Sequence, residues 1–161
     1  MNLPMSHPQN DAQRALLQLV RHWESTYNSD VERLVLDCYA PDAHLCFNMA
    51  EVRGHGQLMR VVKGVLGACP TRRMRVDRVR FIGDDTAVVE AVVLDSAQSE
   101  FFSPFCAILR TRDGRIVEDR TYLEPTRWPG LEGAVAHVSP GGLGSGGAVS
   151  GTSIRGERGR S

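Results

Sequence analysis

Between Asp11 and Asn28 the apolar side chains Leu16, Leu19, Val20, Trp23 and Tyr27 recur at helical spacing, which predicts a first helix with a buried stripe on one face. Ser29 and Glu32 form an S-x-x-E pair that would cap a second, shorter helix, with Val31, Leu34, Val35 and Cys38 on one side and Pro41 ending it. The pattern then changes period. In HLCFNMAEVRG apolar and polar residues alternate, Leu45, Phe47 and Met49 against His44, Cys46 and Asn48, as in a half-buried strand leading to a hairpin at Arg53-Gly54. A third helix is expected from about His55 to Leu66, with Leu58, Val62, Val65 and Leu66 on one face and a stop at Gly67 and Pro70.

Three long β-segments follow, roughly Arg72–Ile82, Thr86–Asp95 and Glu100–Arg112, and a last strand covers RDGRIVEDRTYLEP. The GDD and RDGR turns between them suit antiparallel hairpins, because Gly and Asp tolerate positive φ. Met74 and Val76 share a parity that Val79 and Phe81 do not, which predicts a bulge near Asp77-Arg78 and a bent sheet.

Composition changes the picture at the ends. Residues 1–10 read as a flexible N-terminus, residues 11–132 as one folded domain, and residues 133–161 as a Gly/Ser-rich flexible tail with too little apolar bulk to offset the entropy of ordering it. Across all 161 residues, 42% apolar content suffices for a single core. Lys+Arg and Asp+Glu both number 19, so net charge offers no reason to expect a nucleic-acid or anionic-membrane partner. Four cysteines without C-x-x-C spacing and an N-terminus unlike a secretory signal predict a cytoplasmic protein with reduced thiols, and no apolar run is long enough to cross a bilayer.

YNSDVERLVLDCYAPDAHLCF, RGHGQLMRVV and DGRIVEDRTYLEP, in that order, resemble the SnoaL-like polyketide cyclases and their ketosteroid isomerase and limonene-epoxide hydrolase relatives, over about Ala12 to Trp128. The resemblance implies the α+β, cystatin-like cone of the nuclear transport factor two superfamily, in which three helices from the N-terminal half cover a curved antiparallel sheet. It also implies an apolar pocket for a hydrophobic oxygenated small molecule, and a homodimer formed through the outer face of the sheet. Several of the catalytic positions of these relatives are vacant. Phe47 stands where ketosteroid isomerases carry a carboxylate base, Trp23 where they carry a tyrosine, and Cys106 where they carry a neutral carboxylic acid. The epoxide hydrolase triad falls on Ala91, Val93 and Thr121. The SnoaL-like His and Asp of the last strand correspond to Asp119 and Thr121.

Asp119 is therefore the expected general acid or base, on one strand face with Val117, Thr121 and Leu123. A register one residue off would instead turn Glu118, Arg120, Tyr122 and Glu124 inward. Tyr27, Trp23, Phe47, Cys106 and Thr121 are the expected substrate-binding residues. Glu90, the lone charge in AVVEAVVL, calls for a cross-strand arginine such as Arg110 or Arg120, and His55 is expected to face solvent. His44 and Cys46, two apart on a strand, are nearly 7 Å from each other, too far for a proton relay. No residue cluster has metal-ligand spacing, and a carboxylate acting on an enolisable or epoxide substrate needs no cofactor. Two readings remain open: a cyclase, isomerase or epoxide hydrolase, or a non-catalytic ligand-binding or dimerisation module on the same fold.

Overall fold

A computed structural model describes residues 7–48 and 50–128; the expected tail, the end of the domain at residue 132, most of the N-terminal segment and Met49 lie outside the described residues. Three helices come first, α1 (Asp11–Ser29), α2 (Val31–Cys38) and α3 (Gly54–Ala68), with the hairpin β1 (Tyr39–Phe47) and β2 (Ala50–Arg53) between α2 and α3. Four strands follow among the described residues: β3 (Arg72–Ile82), β4 (Thr86–Asp95), β5 (Gln98–Arg112) and β6 (Arg115–Leu123). The sheet order is β2-β1-β6-β5-β4-β3. This is the expected α+β cone: helices over a curved, unclosed sheet. One pair departs from an all-antiparallel sheet, because β1 runs parallel to β6 and makes the sheet mixed.

Leu16, Val20 and Trp23 of α1, Leu34 and Val35 of α2, and Leu58, Val61 and Val65 of α3 form one core with the inward side chains of the strands. Asp77 has no partner between Val76 and Arg78 in the β3–β4 ladder, so the bulge falls where the change of parity places it. Helix α1 also grips β3 through polar side chains. The Asn28 amide donates to the Met74 carbonyl at 2.8 Å and accepts from the Met74 N–H at 2.7 Å, while Glu24 accepts from the Val76 N–H at 2.8 Å.

Several local expectations are corrected. Asp30, not Ser29, caps α2, because its carboxylate reaches the N–H groups of both Glu32 and Arg33, whereas the Ser29 hydroxyl bonds back to the Ser25 carbonyl. The chain enters β1 directly at Tyr39, before Pro41. The alternating stretch is two strands, turning at Asn48, whose φ of 53° is held by its contacts to β6 rather than by a glycine. At Gly54, where the hairpin turn was expected, φ is +69° and α3 begins. Glu90 pairs with Arg78 on β3 at 3.1 Å, while Arg110 and Arg120 both bind Glu118. The expected partners were Arg110 and Arg120; Arg78 takes the place because it stands directly opposite Glu90 in the β3–β4 ladder, next to the bulge.

Candidate functional site

A cavity lies between the helices and the concave face of the sheet, with about 80 Å³ reachable by the centre of a water molecule, enough for several waters or a small organic ligand. Its walls come from helices α1, α2 and α3 and from strands β1, β3, β5 and β6, and they are almost wholly apolar. The parallel pairing of β1 with β6 matches Leu45 with Asp119 and Phe47 with Thr121. Leu45, Asp119 and Thr121 are buried, and Glu118, Arg120 and Tyr122 take the other parity, with Tyr122 half exposed. Asn48 fixes that register at its end: its N–H donates to the Thr121 carbonyl, and its side chain exchanges two hydrogen bonds with the Leu123 backbone.

Asp119 is 1% exposed and faces this cavity with Thr121. Both carboxyl oxygens are engaged. The Thr121 hydroxyl donates to Oδ1 at 2.7 Å and the Tyr39 hydroxyl to Oδ2 at 2.8 Å, and Trp23 Nε1 in turn donates to the Tyr39 oxygen at 2.9 Å. Burial pushes the carboxyl up to about 6, against the downward pull of these two hydrogen bonds on the ionised form. Burial raises the Tyr39 phenol well above its ordinary value too, and the adjacent carboxylate adds to the effect, so the proton stays on it. The arrangement is therefore a buried carboxylate, ionised at neutral pH, with two fixed donors and a free lone pair on each oxygen.

Tyr39 was not among the expected site residues. It is the first residue of β1, where a Tyr after a helix reads as ordinary core, and only the pairing with β6 brings it to Asp119. Its carbonyl is gripped from outside by His55 Nε2 at 2.9 Å and by the Arg115 guanidinium at 3.2 Å, so His55 holds the site's backbone instead of facing solvent.

Trp23, Tyr27, Phe47 and Thr121 all line the cavity. Cys106 does not. It sits opposite Glu90 and Tyr122 in the ladder, between the inward residues Phe105 and Ala107, and its thiol is raised by burial and by the Glu90 charge on the outer face. Assigning it to the pocket put β5 one residue out of register. Trp128, beyond the last strand, closes a side of the cavity instead. Among the described residues no group of His, Cys, Asp and Glu could hold a metal ion, and no helix is long and apolar enough to cross a membrane.

Known proteins share this architecture. A de novo designed protein with a curved β-sheet superposes with a TM-score of 0.63 at 16% identity, covering 75% of this chain and 94% of the design. A protein assigned as a SnoaL-like polyketide cyclase, from Jannaschia sp. CCS1, reaches 0.65 at 14% identity, covering 81% and 98% of the two chains. A protein with a ketosteroid isomerase-like fold from Catenulispora acidiphila DSM 44928, solved in complex with trimethylamine, reaches 0.60 at 19% identity, covering 76% and 98%. At these identities the likeness speaks for the fold. No curated protein matches the sequence. The sequence profile of the SnoaL-like domain family matches residues 18–119, well over half of the chain, and the chain belongs to that family.

Proposed function

We propose that the protein is a SnoaL-like enzyme of the cyclase, isomerase or epoxide hydrolase type, and that Asp119 is its general base. One observation carries this reading: the almost wholly apolar wall of the cavity holds one carboxylate, which is buried, held by two donors and ionised only above about pH 6. A base with that value is poised near neutral pH, strong enough to take a proton from an activated carbon or from a water attacking an epoxide, and its conjugate acid can return it. Thr121 and Tyr39 fix the carboxylate, Trp23 fixes Tyr39, and Phe47 and Tyr27 shape the ligand's bed. A carboxylate doing this work requires no cofactor.

The test is hydrogen exchange at the carbon next to the carbonyl of small cyclic ketones in deuterated water, followed by NMR, with hydrolysis of cyclic epoxides as a second assay. Asp119→Asn should lower turnover by at least about a hundredfold. Equal exchange by wild type and Asp119→Asn would remove Asp119 from the mechanism.

A second reading has its own support. Both carboxyl oxygens are already hydrogen-bonded inside the protein, which is also how a purely structural buried carboxylate is accommodated, and a ligand-binding or dimerisation module would need nothing more. Ligand retention in the cavity without turnover of any ketone or epoxide would favour it. In either case we infer a homodimer through the outer face of the sheet, where Phe102 and Tyr122 are 50% and 52% exposed. The four free thiols fit a reducing, cytoplasmic setting.

A further inference from the structure

A second polar region adjoins the cavity, away from Asp119, at a residue on the same buried face of β3 as the wall residue Met74. Arg72, at the start of β3, is 3% exposed, and two of its guanidinium nitrogens, Nε and Nη1, have no hydrogen-bond partner among the described residues. Asp95 holds its Oδ2 4.0 Å from Nε, an ion pair beyond hydrogen-bond reach, while its Oδ1 takes the Thr71 hydroxyl at 2.6 Å and the Ala97 N–H at 2.9 Å. The guanidinium instead lies over aromatic faces, 4.2 Å from the Phe101 ring centre and 6.0 Å from that of Trp128. Close enough to feel this charge is the Tyr27 hydroxyl, buried and also without a partner among the described residues, on a residue that lines the cavity. Buried donors are normally satisfied, so three unmade hydrogen bonds around one fixed positive charge call for an acceptor that arrives from outside.

A row of rings joins the two polar regions. Trp23, which donates to Tyr39 beside Asp119, meets Phe105 edge-on at 6.4 Å, and Phe105 meets Trp128 edge-on at 6.0 Å, next to Arg72. All three rings line the cavity. A ligand lying along them would have its apolar body on the rings and its two ends at groups of opposite charge.

We propose that Arg72 and Tyr27 form an anion-binding pole, and that the natural ligand is a small aromatic or alicyclic molecule bearing a carboxylate, bound there with its reacting end at Asp119. This rests on reading the cavity as a ligand site. The ionised Asp119 repels an anion from its own end, so the two poles impose one orientation. Tyr27 donates its phenolic proton to the carboxylate and Arg72 supplies charge and N–H donors.

Phenylacetate and its neutral isostere phenylacetamide test this at pH 7.5, with binding read by calorimetry and by the fluorescence of Trp23 and Trp128, the only two tryptophans of the chain. Wild type should prefer the acid by at least about tenfold, the scale of one charge-assisted hydrogen bond. Arg72→Met should abolish the preference, and Tyr27→Phe, a smaller change that keeps the ring, should reduce it even if Arg72→Met fails to fold. Equal binding of acid and amide, binding of neither, or an undiminished preference in both variants would overturn the proposal. Asp119→Asn separates the two readings: it should keep the preference for the acid, so a preference present alongside unimpaired turnover in that variant would retain the pole and reject the base.

Discussion

At Asp119, two opposed effects act on one carboxyl group. Burial favours the protonated form, and the hydroxyls of Thr121 and Tyr39 favour the ionised one. Removing a donor should let burial prevail. In Tyr39→Phe the Asp119 midpoint should rise by about one unit, the size of one hydrogen bond to a charged group, as read by NMR titration of the carboxyl carbon. An unmoved midpoint would mean that the Tyr39 contact does not act on the ionised form. The same shift links to stability. Asp119 titrates at about 6 when folded against 3.8 ordinarily, so the folded protein binds more protons between these values, and the group's contribution falls as pH rises through that window. At neutral pH the ionised carboxylate costs about 3 kcal/mol relative to acid conditions. Asp119→Asn should therefore be more stable than wild type at pH 7.5 by about 1–3 kcal/mol in denaturant unfolding, after the loss of charged hydrogen bonds is counted, and the gain should shrink as pH falls toward 4. The sequence made Asp119 and Thr121 legible as an alternating pair. Tyr39 was not legible, because its role depends on a parallel pairing with a strand some eighty residues away.

Among the elements, the long strands and the helical stripes were readable because their periods are unambiguous over many residues. The junctions were harder to read. Asn48 turns the β1–β2 hairpin with a positive φ that a glycine would ordinarily supply, and the glycine present, Gly54, serves the entry to α3. A Cβ at Gly54 would stand 3.0 Å from the Pro41 carbonyl oxygen, in a backbone conformation already unfavourable for other residues. Gly54→Ala should cost about 1–3 kcal/mol in chemical denaturation, combining the conformational strain with the displaced contact. Because α3 carries Leu58, Val61, Val62 and Val65 of the cavity wall, the variant should also weaken ligand retention. A variant as stable as wild type would show that the α3 entry yields freely.

For the whole molecule, the outer sheet face combines exposed aromatics with the charged row of Glu90, Arg110, Glu118 and Arg120. If two copies pair there, light scattering should give twice the 17.7 kDa chain mass, and Tyr122→Arg, which adds a charge at the centre of that face, should shift the protein toward the monomer without changing its circular dichroism. A monomeric wild type, or a Tyr122→Arg dimer as tight as wild type, would place the contact elsewhere or nowhere.

The grip of α1 on β3 bears on that choice of surface. Strand β3 is the outermost strand on its side, and an outermost strand ordinarily offers free N–H and C=O groups as a template for another chain. Asn28 occupies the donor and the acceptor of Met74, and Glu24 takes the donor of Val76, so an amide and a carboxylate stand where a seventh strand would add. The opposite border, β2, is only four residues long. With one border occupied and the other short, the sheet resists growth by strand addition, which leaves its face as the surface for the proposed dimer. The two side chains that dock a helix thus also keep copies of this protein from stacking into ribbons.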